Sequence, residues 1–202
     1  MRERPILFSA PMVRAILDGT KTQTRRLVRN ETKACAACFA EAVPHNQGDG
    51  GAGVFGSDPY LRVAACDHED HAGGRIRCPQ GVPGDRLWVR ETWARFWNVC
   101  HYRATYDAAD ISDRTWKPSI HMLRSDSRID LAVTAVRVER LQYITEDDAR
   151  AEGVCPTPFC ELLPPGNEHR EKFVSLWDSI NGERAPWSIN PWVWVVGFER
   201  VL

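Results

Sequence analysis

Hydrophobic positions at the start of the chain predict an extended segment followed by a helix. The apolar run Pro5–Phe8 is typical of a strand or of the segment that leads into the domain. Val13, Ile16 and Leu17 then recur at the spacing of one helical face, and Gly19 is the kind of residue that ends a helix. We therefore expect an ordered N-terminal unit, which continues into a basic stretch that reaches position 29.

Three later segments have the pattern of β-strands. Residues alternate in Arg86–Arg90, where Leu87 and Val89 would face the core. The segment 131–140 is rich in β-branched residues, which favour strands. The segment 192–198 is apolar on both faces, and this predicts a strand in the interior of a sheet.

Two further helices are predicted in the last third of the chain. Thr145 and Asp148 have the spacing of a capping box, which marks the start of a helix. Apolar residues recur at helical spacing over 173–180, and Asn181-Gly182 then predicts a stop. Because several strands lack helical crossovers between them, we expect an α+β fold with a mostly antiparallel sheet that could close into a barrel.

The composition limits the class of protein. The 202 residues are 43% hydrophobic and 26% charged, and their formal net charge is -1. This is enough apolar material for one domain with an insertion, and we expect 1–202 to form a single domain. A near-neutral chain is a poor candidate for broad capture of a duplex, although a local basic patch remains compatible with nucleic-acid binding. The sequence has no long apolar span and no secretory pattern, so we expect a cytoplasmic protein that does not enter a membrane.

The stretch 31–80 differs in composition from its surroundings and is interpreted as an insertion. Several glycines lie between Gly48 and Gly56, and four of the seven cysteines fall in the stretch. A Cys-x-x-Cys pair and two further cysteines could supply four thiolates to one structural zinc ion, with His68 and His71 as alternative ligands. The candidate ligands are Cys35, Cys38, Cys66 and Cys78. The alternative is that these are reduced cysteines on a loose loop.

The first candidate for chemistry is the basic stretch after the N-terminal helix. In a pocket with little water the pKa of Lys21 could fall far enough for the amine to act as a base. The hydroxyl of Thr24 could then be a nucleophile or orient a water molecule. The alternative is a solvated basic loop, and Lys21 and Thr24 can converge only if residues 20–23 turn. A second candidate, Glu152, follows the capped helix and could equally be a solvated carboxylate.

Four segments in order along the chain resemble the ASCH family of PUA-like domains. The sequence from Gly19 to Arg26 fits the family pattern GxKxxTxR after a helix. The segments 83–89 and 144–153 resemble the family's G-D-x-L-x-V strand and T-E-x-x-A-x-x-E helix, and 194–198 resembles its closing strand. The longer members that this chain most resembles are carried by phages and prophages, which would place it in a host cytoplasm.

The resemblance implies a PUA-like β-barrel with a cleft beside the first helix. Small bacterial members are N4-acetylcytidine amidohydrolases, and their catalytic lysine, threonine and glutamate match Lys21, Thr24 and Glu152. No catalytic cofactor is implied. Further residues near these motifs could bind a nucleoside or RNA through charge or by stacking on a base. They are Arg25, Arg26, Trp88, Arg90, Glu91, Trp116 and His121.

Three classes of function remain open on the sequence. The leading hypothesis is an amidohydrolase that removes an acyl group from the exocyclic amine of a modified pyrimidine nucleoside. The second is a non-catalytic module that binds RNA or a modified base, since PUA-like folds host both. The third is a protein that contacts a host protein through the insertion. An enzyme would require Lys21, Thr24 and Glu152 within reach of one ligand.

Overall fold

A computed structural model describes residues 1–30, 36–46, 59–65, 73–106, 115–154 and 167–201. These residues form an α+β fold with mostly antiparallel sheets and few helices. The helices are α1 (Ala10–Leu17), α2 (Ala36–Ala40), α3 (Glu146–Ala151) and α4 (Glu168–Asn181). The strands are β1 (Glu3–Leu7), β2 (Gln23–Leu27), β3 (Val43–His45), β4 (Tyr60–Val63), β5 (Gly74–Arg77), β6 (Arg86–Arg90), β7 (Trp93–Phe96), β8 (Val99–Tyr102), β9 (Asp130–Arg140) and β10 (Trp192–Val201).

Five strands make the main sheet, in the order β1-β6-β9-β10-β2. The pair β1–β6 is parallel, and the other three pairs are antiparallel. The two long strands β9 and β10 form the middle of the sheet, and β10 has a register shift between Gly197 and Phe198. Side chains from both faces of β10 are buried, which confirms the interior strand predicted from its apolar pattern.

Most elements predicted from periodicity are present. Leu87 and Val89 are buried as expected, and α3 begins with a complete capping box at Thr145. The helix α4 ends at Asn181, followed by Gly182. One detail differs, because Ile180 lies near the helix end and is exposed, so it does not extend the buried face of α4.

The main sheet of the described residues is open, and the closed barrel expected from the sequence is not detected in it. The strands β1 and β2 are the two edges of this sheet and do not pair with each other. The guanidinium of Arg26 in β2 nevertheless donates a hydrogen bond of 2.6 Å to the carbonyl of Leu7 in β1. A side chain therefore links the two edges where a closed barrel would have backbone pairing, and a cleft lies beside this link.

The described part of the 31–80 stretch has regular structure that its glycine content did not predict. Strands β3, β4 and β5 form an antiparallel sheet of their own. Leu61, Val63 and Ile76 from this sheet are buried in the same apolar cluster as the main sheet. The described residues of this stretch thus share the main core.

A second, smaller apolar cluster lies between α3, α4 and the other face of the main sheet. Phe173 and Trp177 of α4 pack there with Val193 and Val195 of β10. This packing fixes α3 near the start of β2, where the candidate chemistry lies. None of the described helices is long and apolar enough to cross a membrane.

Candidate functional site

Lys21 and Glu152, which are 131 positions apart in the sequence, are in direct contact. Their backbones form an isolated antiparallel bridge, which joins the segment between α1 and β2 to the end of α3. The Lys21 Nζ atom lies 2.9 Å from the Glu152 Oε2 atom, 2.8 Å from the Glu152 carbonyl oxygen and 2.8 Å from the Gln23 carbonyl oxygen. The ammonium group therefore donates three hydrogen bonds, which is all that it has.

Burial determines the electrostatics of this pair. The Lys21 side chain is 0% exposed, and that of Glu152 is 5% exposed. Burial lowers the pKa of Lys21 below its usual value, and the contact with Glu152 opposes this shift without cancelling it. A lysine with a lowered pKa is the kind of group that can act as a base, but here its nitrogen is enclosed and fully engaged.

Gly153 allows the close approach of α3 to Lys21. Its backbone has φ +74°, and a Cβ atom there would lie 2.7 Å from the Cβ of Lys21 and 2.8 Å from the Cβ of Ala15. Both the positive φ and the contact distances favour glycine. The glycine that follows Glu152 thus permits the Lys21–Glu152 bridge.

Arg25 extends the ion pair into a larger cluster. Its guanidinium, which is 0% exposed, lies 2.7 Å from Glu139, 3.0 Å from Asp148 and 3.3 Å from Glu152. Arg137 approaches the same Glu139 and Asp148 from a more exposed position. Lys21, Arg25 and Arg137 therefore face three carboxylates, and the cluster is balanced in formal charge.

Asp148 shows the electrostatic effect of this balance. Burial acts to raise its pKa, but Arg25, a hydrogen bond from Gln23 and Arg137 outweigh that effect, and the pKa lies below its usual value. The amide of Gln23 reaches both the Asp148 carbonyl at 2.9 Å and its carboxylate at 3.1 Å. The cluster therefore fastens α3 to β2 through charged and neutral hydrogen bonds.

Thr24 forms no described side-chain hydrogen bond with this cluster. It is buried in β2 between Gln23 and Arg25, whose side chains both reach Asp148. Because side chains alternate along a strand, Thr24 lies on the face opposite to Gln23 and Arg25, which it shares with Arg26. The Lys21 Nζ atom and the Arg26 guanidinium both lie over the Phe8 ring, at 5.6 and 5.2 Å from its centroid, so Lys21 is on this side of β2 as well. Among the described residues no hydrogen bond connects the Thr24 hydroxyl to Lys21 or Glu152. Lys21 and Glu152 are in direct contact, whereas a catalytic role of Thr24 stays a prediction.

A cleft of about 440 Å³ lies on the Arg26 side, between the sheet edges β1 and β2. The apolar residues Ile6, Leu27 and Trp194 form part of its wall, and Ile6 and Trp194 also belong to the main apolar cluster. Its remaining lining includes five arginines from four separate segments of the chain, and no described lining residue has a carboxylate. The arginines are Arg26, Arg29, Arg77, Arg90 and Arg184.

The positive charge of this cleft is not matched by described carboxylates. None of its five arginines forms an ion pair with the described part of the chain. Arg29, Arg77 and Arg184 are exposed, whereas Arg26 and Arg90 are half-buried and donate to backbone carbonyls. Burial lowers the pKa of Arg26, and Glu152 opposes this effect. The cleft thus presents guanidinium groups to any anion that enters it.

Two of the seven predicted nucleoside-binding residues, Arg26 and Arg90, line the cleft. Arg25 lies in the ionic cluster instead. Trp88 is half-buried, with the Arg90 guanidinium 5.3 Å from its ring centroid. Stacking of Arg90 on Trp88 helps to hold that arginine at the cleft.

Glu91, Trp116 and His121 lie apart from the cleft lining. Arg128 binds Glu91 through two hydrogen bonds of 2.8 and 3.1 Å, and burial raises the pKa of Glu91 while Arg128 opposes that shift. The Trp116 ring packs 5.9 Å from that of Tyr106. His121 is exposed at the end of a short 3-10 turn. Their role in binding a nucleoside therefore stays a prediction.

The zinc hypothesis concerns residues that are described only in part. Cys35, Cys66, His68 and His71 lie outside the described residues. Cys38 packs against the main apolar cluster, and Cys78 is buried within it. Burial raises the pKa of the Cys78 thiol to about 11, and its sulfur lies 3.4 Å from the Gln80 side-chain oxygen. Within the described ranges no group of three or more metal-binding side chains occurs, so the zinc site stays a prediction.

Sequence reasoning had identified Arg29 only as one cation of a basic stretch and had not identified Arg77 or Arg184. These two lie on β5 and just after α4, far from each motif, and no local pattern marks them. Arg77 and Arg184 reach the cleft because β5 and the segment after α4 lie beside the β1 and β2 edges. By contrast, three of the four segments that resemble ASCH sequences meet, since α3, β2 and β10 are connected at the Lys21–Glu152 bridge. No protein-family model, curated protein or solved structure matches this chain.

Proposed function

We propose that this chain is an ASCH-type, PUA-like protein that binds RNA or a modified nucleotide in the cleft between β1 and β2. The observation that carries the proposal is the set of five arginines around a cavity of about 440 Å³ without a described carboxylate. A planar guanidinium matches the oxygen pairs of a phosphate, and arginine is therefore enriched at phosphate-binding sites. The cavity volume falls within the range of small-ligand sites.

The shape of the cleft supports a ligand that combines a phosphate with a base. Its polar part comes from guanidinium groups, and its apolar part comes from Ile6, Leu27 and Trp194. The outer edges of β1 and β2 have no strand partner in the described sheet. The carbonyls of Leu7 and Gln23 already accept hydrogen bonds from side chains, and the other outward backbone groups can serve a ligand as donors and acceptors. Such groups can read the edge of an unpaired base.

Binding of a labelled single-stranded RNA 12-mer, measured by fluorescence anisotropy, tests this proposal. Arg29→Gln with Arg184→Gln removes two exposed cations from the cleft and should weaken binding at least tenfold. The slope of log affinity against log salt should fall by about 1.4, since each neutralised phosphate of a single strand contributes about 0.7. Arg150→Gln, an exposed arginine of α3 that pairs with Asp147, is the matched control. Equal losses in the double variant and the control would refute the proposal.

A second candidate function is hydrolysis of an acyl group on the exocyclic amine of a pyrimidine, as in N4-acetylcytidine. The buried Lys21–Glu152 pair and the lowered pKa of Lys21 favour it. Lys21 would take a proton from water, the resulting hydroxide would attack the acyl carbonyl, and the C–N bond would break as Glu152 relays a proton to the leaving amine. The products would be acetate and cytidine.

The enclosed geometry of Lys21 makes this the second candidate. Its ammonium group would first have to lose a proton, and with it one of its three donated hydrogen bonds, and become accessible to water before it could act as a base. Water is the nucleophile in this step, and Thr24 forms no described hydrogen bond with Lys21 or Glu152. Conversion of N4-acetylcytidine to cytidine is the test, with Lys21→Met as the comparison and circular dichroism as the check on folding. Absence of turnover in the wild type, with RNA still bound, would leave binding as the function.

A further inference from the structure

A tryptophan occupies the tip of the β7–β8 hairpin in a conformation and an environment that the fold does not explain. Trp97 is 98% exposed, although tryptophan is normally largely buried. Trp97 and Asn98 form the turn, with φ values of 51° and 61°. Asparagine tolerates this left-handed region, but a bulky residue there costs about 1–2 kcal/mol. Neither burial nor backbone preference therefore accounts for a tryptophan at this position.

Cations surround this exposed ring. Arg95, Trp97, Asn98 and Lys117 line one shallow, open depression. Lys117 lies 5.0 Å from the centroid of the Trp93 ring and forms no ion pair with the described residues. The charge of Arg95 is shared with Asp126, which is buried behind it. The depression thus combines an aromatic face with positive charge, which is the chemistry that binds the bases and phosphates of an unpaired strand.

The hairpin is physically continuous with the arginine-lined cleft. Arg90 lines the cleft, and its guanidinium donates to the carbonyls of Ile120 and Met122. Lys117, three residues before Ile120, is paired through its backbone with Trp93 at the start of β7. Trp97 is seven positions after Arg90, so their Cα atoms lie at most about 25 Å apart. A strand of a few nucleotides can span this distance.

We propose that the ligand is a single-stranded polynucleotide that occupies the cleft with one nucleotide and stacks a base a few nucleotides further along the strand on Trp97. This inference rests on the proposed function, because the cleft must bind a nucleotide for the hairpin to receive the next part of the strand. Contact with Trp97 distinguishes two classes of ligand, a free nucleotide and a polynucleotide strand, because the cleft would bind both. A free nucleotide would contact only the cleft, whereas a strand would contact the cleft and the hairpin.

Trp97→Ala distinguishes these ligands when the affinities for cytidine 5′-monophosphate and for a 12-nucleotide oligouridylate are both measured. The variant should bind the oligonucleotide at least about fivefold more weakly, the lower end for loss of one stacked base, and the mononucleotide as the wild type does. Trp97→Phe should recover most of the lost affinity because it restores a stacking face. Tyr143→Ala, which removes another exposed aromatic ring, is the control and should change neither affinity.

Two outcomes would overturn the inference. Unchanged binding of the oligonucleotide by Trp97→Ala would leave Trp97 without contact to the strand, and the exposed ring would then be free for a protein partner. Equal loss for both ligands would mean that the substitution disturbs the cleft. If mononucleotide binding still depends on Arg29 and Arg184 in either case, the proposed function survives while the stacking site does not.

Discussion

The Glu152 carboxylate accepts hydrogen bonds from two buried cations, Lys21 and Arg25. Glu152→Gln keeps the shape of the side chain but removes one of the three carboxylates that balance the three cations of the cluster. We expect the free energy of unfolding to fall by roughly 3–5 kcal/mol, the range for breaking a buried ion pair. Urea unfolding measures this. Asp147→Asn removes an exposed pair, with side chains 61% and 89% exposed, and should change little. A small loss in Glu152→Gln would contradict the buried cluster.

Gly153 and Gly19 provide a matched test of the close approach at Lys21. The φ value is +74° at Gly153 and +75° at Gly19, so the backbone strain of an alanine should cost the same free energy at both positions, about 1–2 kcal/mol. A Cβ at Gly19 meets nothing within 4 Å, whereas a Cβ at Gly153 overlaps Lys21 and Ala15. We therefore expect Gly153→Ala to lower the thermal midpoint clearly more than Gly19→Ala. Equal midpoints would show that the bridge is not tightly packed there.

At the scale of elements, two helix starts differ in their capping. Thr145 accepts a hydrogen bond from the Asp148 backbone N–H at 3.1 Å, and Asp148 completes a capping box. Ser9 stands at the same position of α1 without a described side-chain cap bond. Thr145→Ala should cost about 1 kcal/mol, and Ser9→Ala should cost much less. Denaturant midpoints of both variants check this, and a comparable loss in Ser9→Ala would count against the capping assignment.

The elements that the sequence predicted are those whose own pattern determines their burial. The alternation in β6 and the continuous apolar run of β10 identify strands without reference to any other part of the chain. The strand β2 was missed because Gln23 and Arg25 are polar, and their burial depends on carboxylates more than 110 positions away. Long-range charge pairing of this kind leaves no periodic pattern in the strand itself.

The candidate site was predictable only for residues that a local motif identifies. Lys21 and Glu152 could be paired because a family resemblance placed both in one pocket, and the structure brings them into contact. The cleft could not be predicted, since Arg77 and Arg184 meet Arg26 only through the packing of the edge strands. Arg25 was expected at a ligand and lies instead among Glu139, Asp148 and Glu152, a position that only the fold determines.

The zinc hypothesis gives a prediction about the 31–80 stretch. If four thiolates hold one zinc ion, native mass spectrometry should show one bound zinc, which a chelator should remove. The stretch should then become more sensitive to protease, while the main sheet stays folded. Cys38→Ser should reproduce the effect of the chelator. A mass without metal, or a proteolysis pattern that the chelator does not change, would reject the hypothesis.

Charge over the whole molecule is distributed in two ways: the cluster around Arg25 is neutralised internally, whereas the cleft keeps positive charge that can bind an anion. The formal net charge is only -1, yet described carboxylates neutralise Arg25 and leave the five arginines of the cleft unmatched. A protein of this kind attracts anions locally and not over its whole surface. Binding should therefore be weak for a duplex and concentrated on ligands small or flexible enough to enter the cleft.

Acid should destabilise the whole molecule through the same carboxylates. The pKa of Asp148 lies below its usual value of 3.8, and that of Glu146 lies below 4.5, because cations and backbone donors outweigh burial. In acid the unfolded chain therefore binds more protons than the folded protein does. The stabilisation by these two carboxylates is fully present above their usual pKa values, and it is lost as the pH falls through their lower pKa values in the folded protein. Asp148→Asn removes one such carboxylate, so its free energy of unfolding should fall less between pH 6 and pH 3 than that of the wild type. Urea titrations across that range measure the difference.

An identical pH dependence in the wild type and in Asp148→Asn would show that the ion pairs of Asp148 do not stabilise the fold. Asp147→Asn, which alters an exposed carboxylate, is the control and should retain the wild-type dependence.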